Sequence, residues 1–162
     1  MTKFSISILA ILLLPAYSFA DVSDKIIQSG KLDSGKSYNL EIKTSKFTIK
    51  PDSRKDDGSI WGIDGGYPRT KTDELLFQID GMPAYIPWKF YTDLTDIQTA
   101  RVLEDDGFVK ILIKGGDAAG SYDAEFRIKD MRLVERIVHV GEFYKEVWEK
   151  TILHNELWNK DM

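Results

Sequence analysis

Along "YDAEFRIK", residues 122 to 129, apolar and charged side chains alternate without a break: Tyr122, Ala124, Phe126 and Ile128 against Asp123, Glu125, Arg127 and Lys129. Only extended chain sends successive side chains to opposite faces, so a period of two predicts a strand with one face buried. Tyr38, Leu40 and Ile42 repeat the pattern, as do Val109, Ile111 and Ile113, with Lys110, Leu112 and Lys114 on the other face. Phe47 and Ile49 continue the first run at odd positions, which requires a bulge or turn near residues 44–46 to absorb the change of parity.

Turn residues divide these runs. Asp80-Gly81 separates two apolar stretches in "ELLFQIDGMPAYIP", and because both residues tolerate positive φ this predicts a tight hairpin. Its register sets Ile79 opposite Met82, Gln78 opposite Pro83, Phe77 opposite Ala84 and Leu75 opposite Ile86. Pro87 is placed to open a short helical turn through Tyr91. A second hairpin runs through 97–103, the turn Asp105-Asp106-Gly107, and "FVKILIK". A third turns at Asp130-Met131 into "RLVERIVHV"; a two-residue turn with unbroken pairing sets Glu125 opposite Arg136 and Tyr122 opposite His139. Residues 142–158 fit neither period well: Val147, Thr151 and Ile152 favour a strand, whereas the Glu146 and Lys150 spacing favours a helix. The fold class expected is mainly β, an antiparallel β-sandwich or small barrel of about seven or eight strands, with the C-terminal segment either helix or strand.

The first residues belong to a different logic. Lys3 precedes an apolar run from Phe4 to Leu14, followed by Pro15 and the small-residue ending Ser18-Phe19-Ala20. This reads as a signal peptide over residues 1–20, leaving residues 21–162 as a single β-rich domain that is periplasmic or secreted. The run is shorter than the roughly 20 residues a bilayer crossing needs, so no membrane span is expected once it is removed. The chain has no cysteine, so thiol catalysis and disulfides are excluded and packing alone must stabilise it. A net charge of −4 with interspersed signs offers no basic patch for nucleic acid.

The sequence carries no HExxH, GxSxG, Walker or dinucleotide-binding motif. Its two histidines, His139 and His154, make a poor start for a zinc site. "DSRKDDG" and "LEDDG" place Ser53 or Val102 first when aligned to a calcium-binding loop, and both fail. No catalytic residue, metal or cofactor is therefore assigned. Ligand-binding candidates come from two loops. "WGIDGGYP" offers Trp61, Asp64 and Tyr67, and its glycines either let a ligand approach the backbone or merely shape a turn. "GGDAAGSY" offers Asp117, Ser121 and Tyr122, with His139 beside Tyr122 if the register holds. Adjacent loops would form one site; loops at opposite ends would be turns.

The blocks "WGIDGGYP", "GGDAAGSY" and "GEFYKEVWEKT" resemble those of an uncharacterised family of small secreted bacterial β-rich proteins, a resemblance that implies a fold and no activity. The stretch "DDGFVKILIKGGDAAGSYDAEFRI" is locally similar to one in periplasmic lysozyme inhibitors. That similarity implies a β-sandwich that blocks a cell-wall hydrolase through loop hydroxyls, here Ser121 and Tyr122, which are adjacent where the inhibitors' Ser-Gly-x-Tyr motif holds them three apart. Three functions are thus expected in turn: a non-catalytic domain binding a protein or a small polar ligand in an aromatic pocket lined by Trp61, Tyr67, Trp88 or Tyr122; an inhibitor of a cell-wall hydrolase using residues 115–122; and a hydrolase using Asp117, Tyr122 and His139.

Overall fold

The computed structural model describes residues 24–48, 60–141 and 146–153. The expected signal peptide, and with it Ile49, His154 and Trp158, lie outside the described residues. Among the described residues nine strands follow one another in antiparallel order: β1 (Lys25–Lys31), β2 (Ser37–Lys46), β3 (Thr70–Ile79) and β4 (Met82–Pro83) form a four-stranded sheet, and β5 (Ile97–Asp105), β6 (Phe108–Gly115), β7 (Tyr122–Lys129), β8 (Arg132–Val140) and β9 (Val147–Ile152) a five-stranded one. The protein is mainly β, with two sheets rather than a closed barrel. Within each sheet every strand pairs with its neighbour in sequence, as short polar connections require, and the chain changes sheet between β4 and β5.

Three two-residue turns set the registers. Asp80-Gly81, Asp106-Gly107 and Asp130-Met131 all hold positive φ at both positions, which matches the right-handed twist of the strands they join. The second turn is one residue tighter than expected, because Asp105 still pairs with Phe108. In the first hairpin Ile79 faces Met82 and Gln78 faces Pro83. The expected pairing of Leu75 with Ile86 does not form. Tyr85 instead donates its N–H to the Met131 carbonyl at 2.8 Å and accepts from the Leu133 N–H at 2.9 Å, so the chain leaves one sheet and ties into the other. A short 3₁₀ turn over Trp88–Phe90 follows Pro87.

Alternate side chains from the two sheets fill one core: Leu40, Ile42, Leu75, Phe77 and Ile79 from the first, Ile111, Ile113, Ala124, Phe126, Ile128, Leu133 and Val138 from the second. Leu94, fully buried, plugs the connection between the sheets. Burying each large apolar side chain contributes about 1.5–3 kcal/mol before chain entropy is set against it. The parity change foreseen near residue 44 lies on the partner strand: Lys43 pairs with Glu74 but Thr44 with Thr72, so Asp73 is the extra residue. This keeps Leu40, Ile42 and Thr44 inward on β2 while β3 switches from Thr72 to Leu75.

A second bulge decides where the candidate residues point. Arg127 pairs with Glu135 but Ile128 with Leu133, leaving Val134 as an extra residue in β8. From there to the end of β8 every partner moves by one. Tyr122 therefore faces Val140 rather than His139, and Glu125 faces Ile137 rather than Arg136. A one-residue slip sends a side chain to the opposite face, so Arg136 turns into the interior and His139 turns out. The segment after residue 145 is resolved in favour of a strand, β9, whose own irregularity at Val138/His139 leaves Trp148 between the paired Val147 and Glu149.

Candidate binding site

The two candidate loops meet at one end of the sandwich, and glycine makes the contact. A Cβ on Gly116 would stand 2.8 Å from the Cα of Gly62, and one on Gly120 would stand 2.8 Å from the Asp64 nitrogen and closer still to the Ile63 carbonyl. The backbones cross with no room for a side chain between them. Gly62 itself has φ +107, with the Thr95 carbonyl oxygen 2.8 Å from where its Cβ would lie. These glycines serve loop-to-loop packing, whereas Gly65 and Gly66 at the tip have open space around them.

The loops' polar and aromatic residues are dispersed by that packing. Trp61 stacks on Trp148 with ring centroids 5.4 Å apart, and its backbone N–H donates to the Asp93 backbone carbonyl at 2.8 Å. Tyr122 is 1 % exposed and donates its hydroxyl to the Thr95 carbonyl at 2.9 Å. Burial in this apolar setting pushes the phenol's pKa well above its ordinary value. Tyr122→Phe is expected to lower stability by about 1 kcal/mol, the typical net worth of a hydrogen bond plus the Thr95 oxygen left without it; chemical denaturation measures this. Asp64, Tyr67 and Asp117 are exposed, with Tyr67 stacked on Phe47 at 6.5 Å and Asp117 in a surface ion pair with Arg69 at 3.7 Å. Ser121 is half-buried, its carbonyl accepting from the Gly141 N–H at 2.9 Å. Trp88 is exposed elsewhere on the surface. Among the described residues these aromatic side chains therefore have separate partners: Trp148 for Trp61, Phe47 for Tyr67 and the Thr95 carbonyl for Tyr122. The trio of Asp117, Tyr122 and His139 does not assemble, because Tyr122 and His139 occupy opposite faces of the sheet.

His139 belongs to another site. On the outward face of the five-stranded sheet the registers align cross-strand rows: Thr99, Lys114, Asp123 and His139; then Arg101, Leu112, Glu125 and Ile137; then Leu103, Lys110, Arg127 and Glu135. An outward face is ordinarily solvated, yet Lys110, Asp123 and Glu125 are each less than a tenth exposed. Beside Asp123 and Glu125 lies a cavity of about 280 Å³ lined by Arg101, Leu112, Lys114, Asp123, Glu125 and His139, with Ala124 and Gly141.

Ion pairing explains how charges persist there. Glu125 Oε1 accepts from Arg127 Nε at 2.6 Å and lies 3.7 Å from Lys110 Nζ; Asp123 Oδ1 lies 3.0 Å from Lys114 Nζ. The Asp105 carboxylate, which also hydrogen-bonds Lys110, is the main cause of that ammonium's raised pKa, while burial opposes it. At the sheet's far end Glu135 bridges Arg127 at 2.6 Å and Lys150 at 2.8 Å. Burial alone would raise the Glu135 pKa, but the hydrogen bonds and charges of Lys150 and Arg127 together hold it below its ordinary 4.5. A carboxyl depressed by folding stabilises the protein above its unfolded pKa and loses that contribution as pH falls through its folded value. Glu135→Gln is therefore expected to flatten the loss of stability below about pH 4.5, read as denaturation midpoints against pH.

Among the described residues no group of three or more metal-ligating side chains converges, and no helix is long and apolar enough to cross a membrane. No protein-family model, curated protein or solved structure matches the chain.

The outward cavity was beyond sequence reading for a definite reason. Asp123, Glu125 and Lys114 each read as ordinary solvent-facing partners of an amphipathic strand. The only signal was the density of mixed charge on β6 and β7, and its burial depends on cross-strand neighbours such as Arg127 and Lys110 that the registers bring together.

Proposed function

We propose that the protein is a non-catalytic binding domain of the periplasm or the extracellular space that holds a small polar ligand on the outer face of its five-stranded sheet. The observation that supports this reading is a concave, charge-lined cavity where Asp123 and Glu125 are buried on a face that the strand pattern assigns to solvent. Keeping charged groups desolvated costs free energy, and ligand sites are where proteins commonly retain such groups. The inhibitor and hydrolase readings draw less support, since the Tyr122 hydroxyl they need is buried against Thr95.

Saturation-transfer NMR on the mature protein with a low-molecular-mass periplasmic extract tests the proposal. At least one component should receive saturation from the wild type and none from an Arg101→Ala, His139→Ala double variant of unchanged fold. Absence of any such component, or its undiminished signal with the variant, would overturn the proposal.

A further inference from the structure

The cavity's charges are arranged in space, and that arrangement specifies a ligand with two ends. We propose that it binds a zwitterion of dipeptide size, with a free carboxylate at Arg101 and a free ammonium at Glu125 and Asp123; this rests on the binding reading above. Arg101 stands exposed on β5 at the rim and enters no ion pair or hydrogen bond among the described residues. A guanidinium presents a planar fork of donors that matches a carboxylate in a bidentate pair.

Across the same row, β6 contributes Leu112 and β7 contributes Glu125. Neighbouring strands are about 4.8 Å apart, so the Cα atoms of Arg101 and Glu125 are roughly 10 Å apart with an apolar side chain between them. Both ion pairs of Glu125 use Oε1, and that of Asp123 uses Oδ1, so one oxygen of each carboxylate is outside those pairs.

Size and charge then exclude the simpler ligands. A phosphate or other dianion would bring more negative charge beside Asp123 and Glu125 than Arg101 offsets, and a bare cation would leave the Arg101 guanidinium without a counter-charge. A single amino acid spans about 3.5 Å between its ends and a dipeptide about 7 Å. Only the second bridges the row once the Arg101 side chain reaches inward. At about 280 Å³ the cavity falls just below the roughly 300–1,000 Å³ typical of ligand sites, which suits a ligand of that length.

The test uses L-alanyl-L-alanine, its N-acetyl form and its C-terminal amide, titrated into ¹⁵N-labelled protein. The free dipeptide should shift the amides of Leu112, Lys114, Asp123, Glu125 and His139. Blocking either end should weaken binding at least tenfold. Arg101→Gln, a surface change that leaves the core intact, should abolish the preference for the free peptide over its amide while keeping the preference over the N-acetyl form. The inference is overturned if the blocked peptides bind equally well, if the shifts map elsewhere, or if Arg101→Gln keeps both preferences. An extract component that binds the cavity when no dipeptide does would overturn the zwitterion assignment and leave the binding reading standing.

Discussion

Asp93→Ala is expected to destabilise the protein by about 3–5 kcal/mol, the cost of stripping a buried ion of its partner. Arg136 faces inward on β8, its side chain 3 % exposed, with Nη2 donating to Asp93 Oδ2 at 2.7 Å and Nη1 3.5 Å from Glu149 Oε1. The Asp93 carboxylate feels burial first, which raises its pKa, and the Arg136 charge and hydrogen bond oppose that rise. The geometry ties three pieces of chain together: the turn that leads into Leu94, strand β8, and strand β9. Among the described residues, Asp93 Oδ1 and Arg136 Nε are buried without a hydrogen-bond partner, so the pair is not fully satisfied by them even when intact. That leads to a second expectation about the same site. An Asp93→Leu, Arg136→Met double variant should recover most of the stability, because an apolar pair of similar volume carries no desolvation cost. Urea denaturation of the three proteins decides the matter. A loss below about 1 kcal/mol for Asp93→Ala would show that Arg136 is solvated or satisfied by Glu149.

Gly120→Ala carries the other large effect, a loss of about 3 kcal/mol with local disruption of both loops. The added methyl would lie against the Ile63 carbonyl and 2.8 Å from the Asp64 nitrogen, both backbone, so neither neighbour yields by rotating a side chain. Gly66→Ala supplies the control, since nothing lies within 4 Å of its Cβ position. It should change stability by less than about 0.5 kcal/mol. Equal effects of the two substitutions, measured by thermal or chemical denaturation, would mean the loops do not pack as described.

The strands of this protein are legible because the alternation of Tyr122 to Lys129 and the Asp-Gly turns at 80–81 and 106–107 are local properties of a few adjacent residues. The bulges are not. Nothing local to "RLVERIVHV" marks Val134 as the residue without a partner, since bulging there depends on how β8 fits β7 and the core together. That single residue separates the expected Tyr122 and His139 pair and turns Arg136 inward. Strand β1 escaped notice because "KIIQSGK" shows little alternation; it is an edge strand, and Ile27 is exposed. The sequence leaves open whether the two candidate loops are neighbours or lie at opposite ends, and they meet. Their glycines, however, make that contact by excluding side chains, which turns the motif into architecture and leaves the polar cavity to residues that alternation had assigned to solvent.

The outward cavity is tested most directly through His139, by following its ¹³C-labelled imidazole and the Tyr122 ring in one spectrum during titration with the ligand found in the extract. The imidazole resonance should move with saturation while the Tyr122 ring, on the opposite face of the sheet, stays fixed. Movement of Tyr122 with no change at His139 would place the ligand at the loop end of the sandwich and contradict the account.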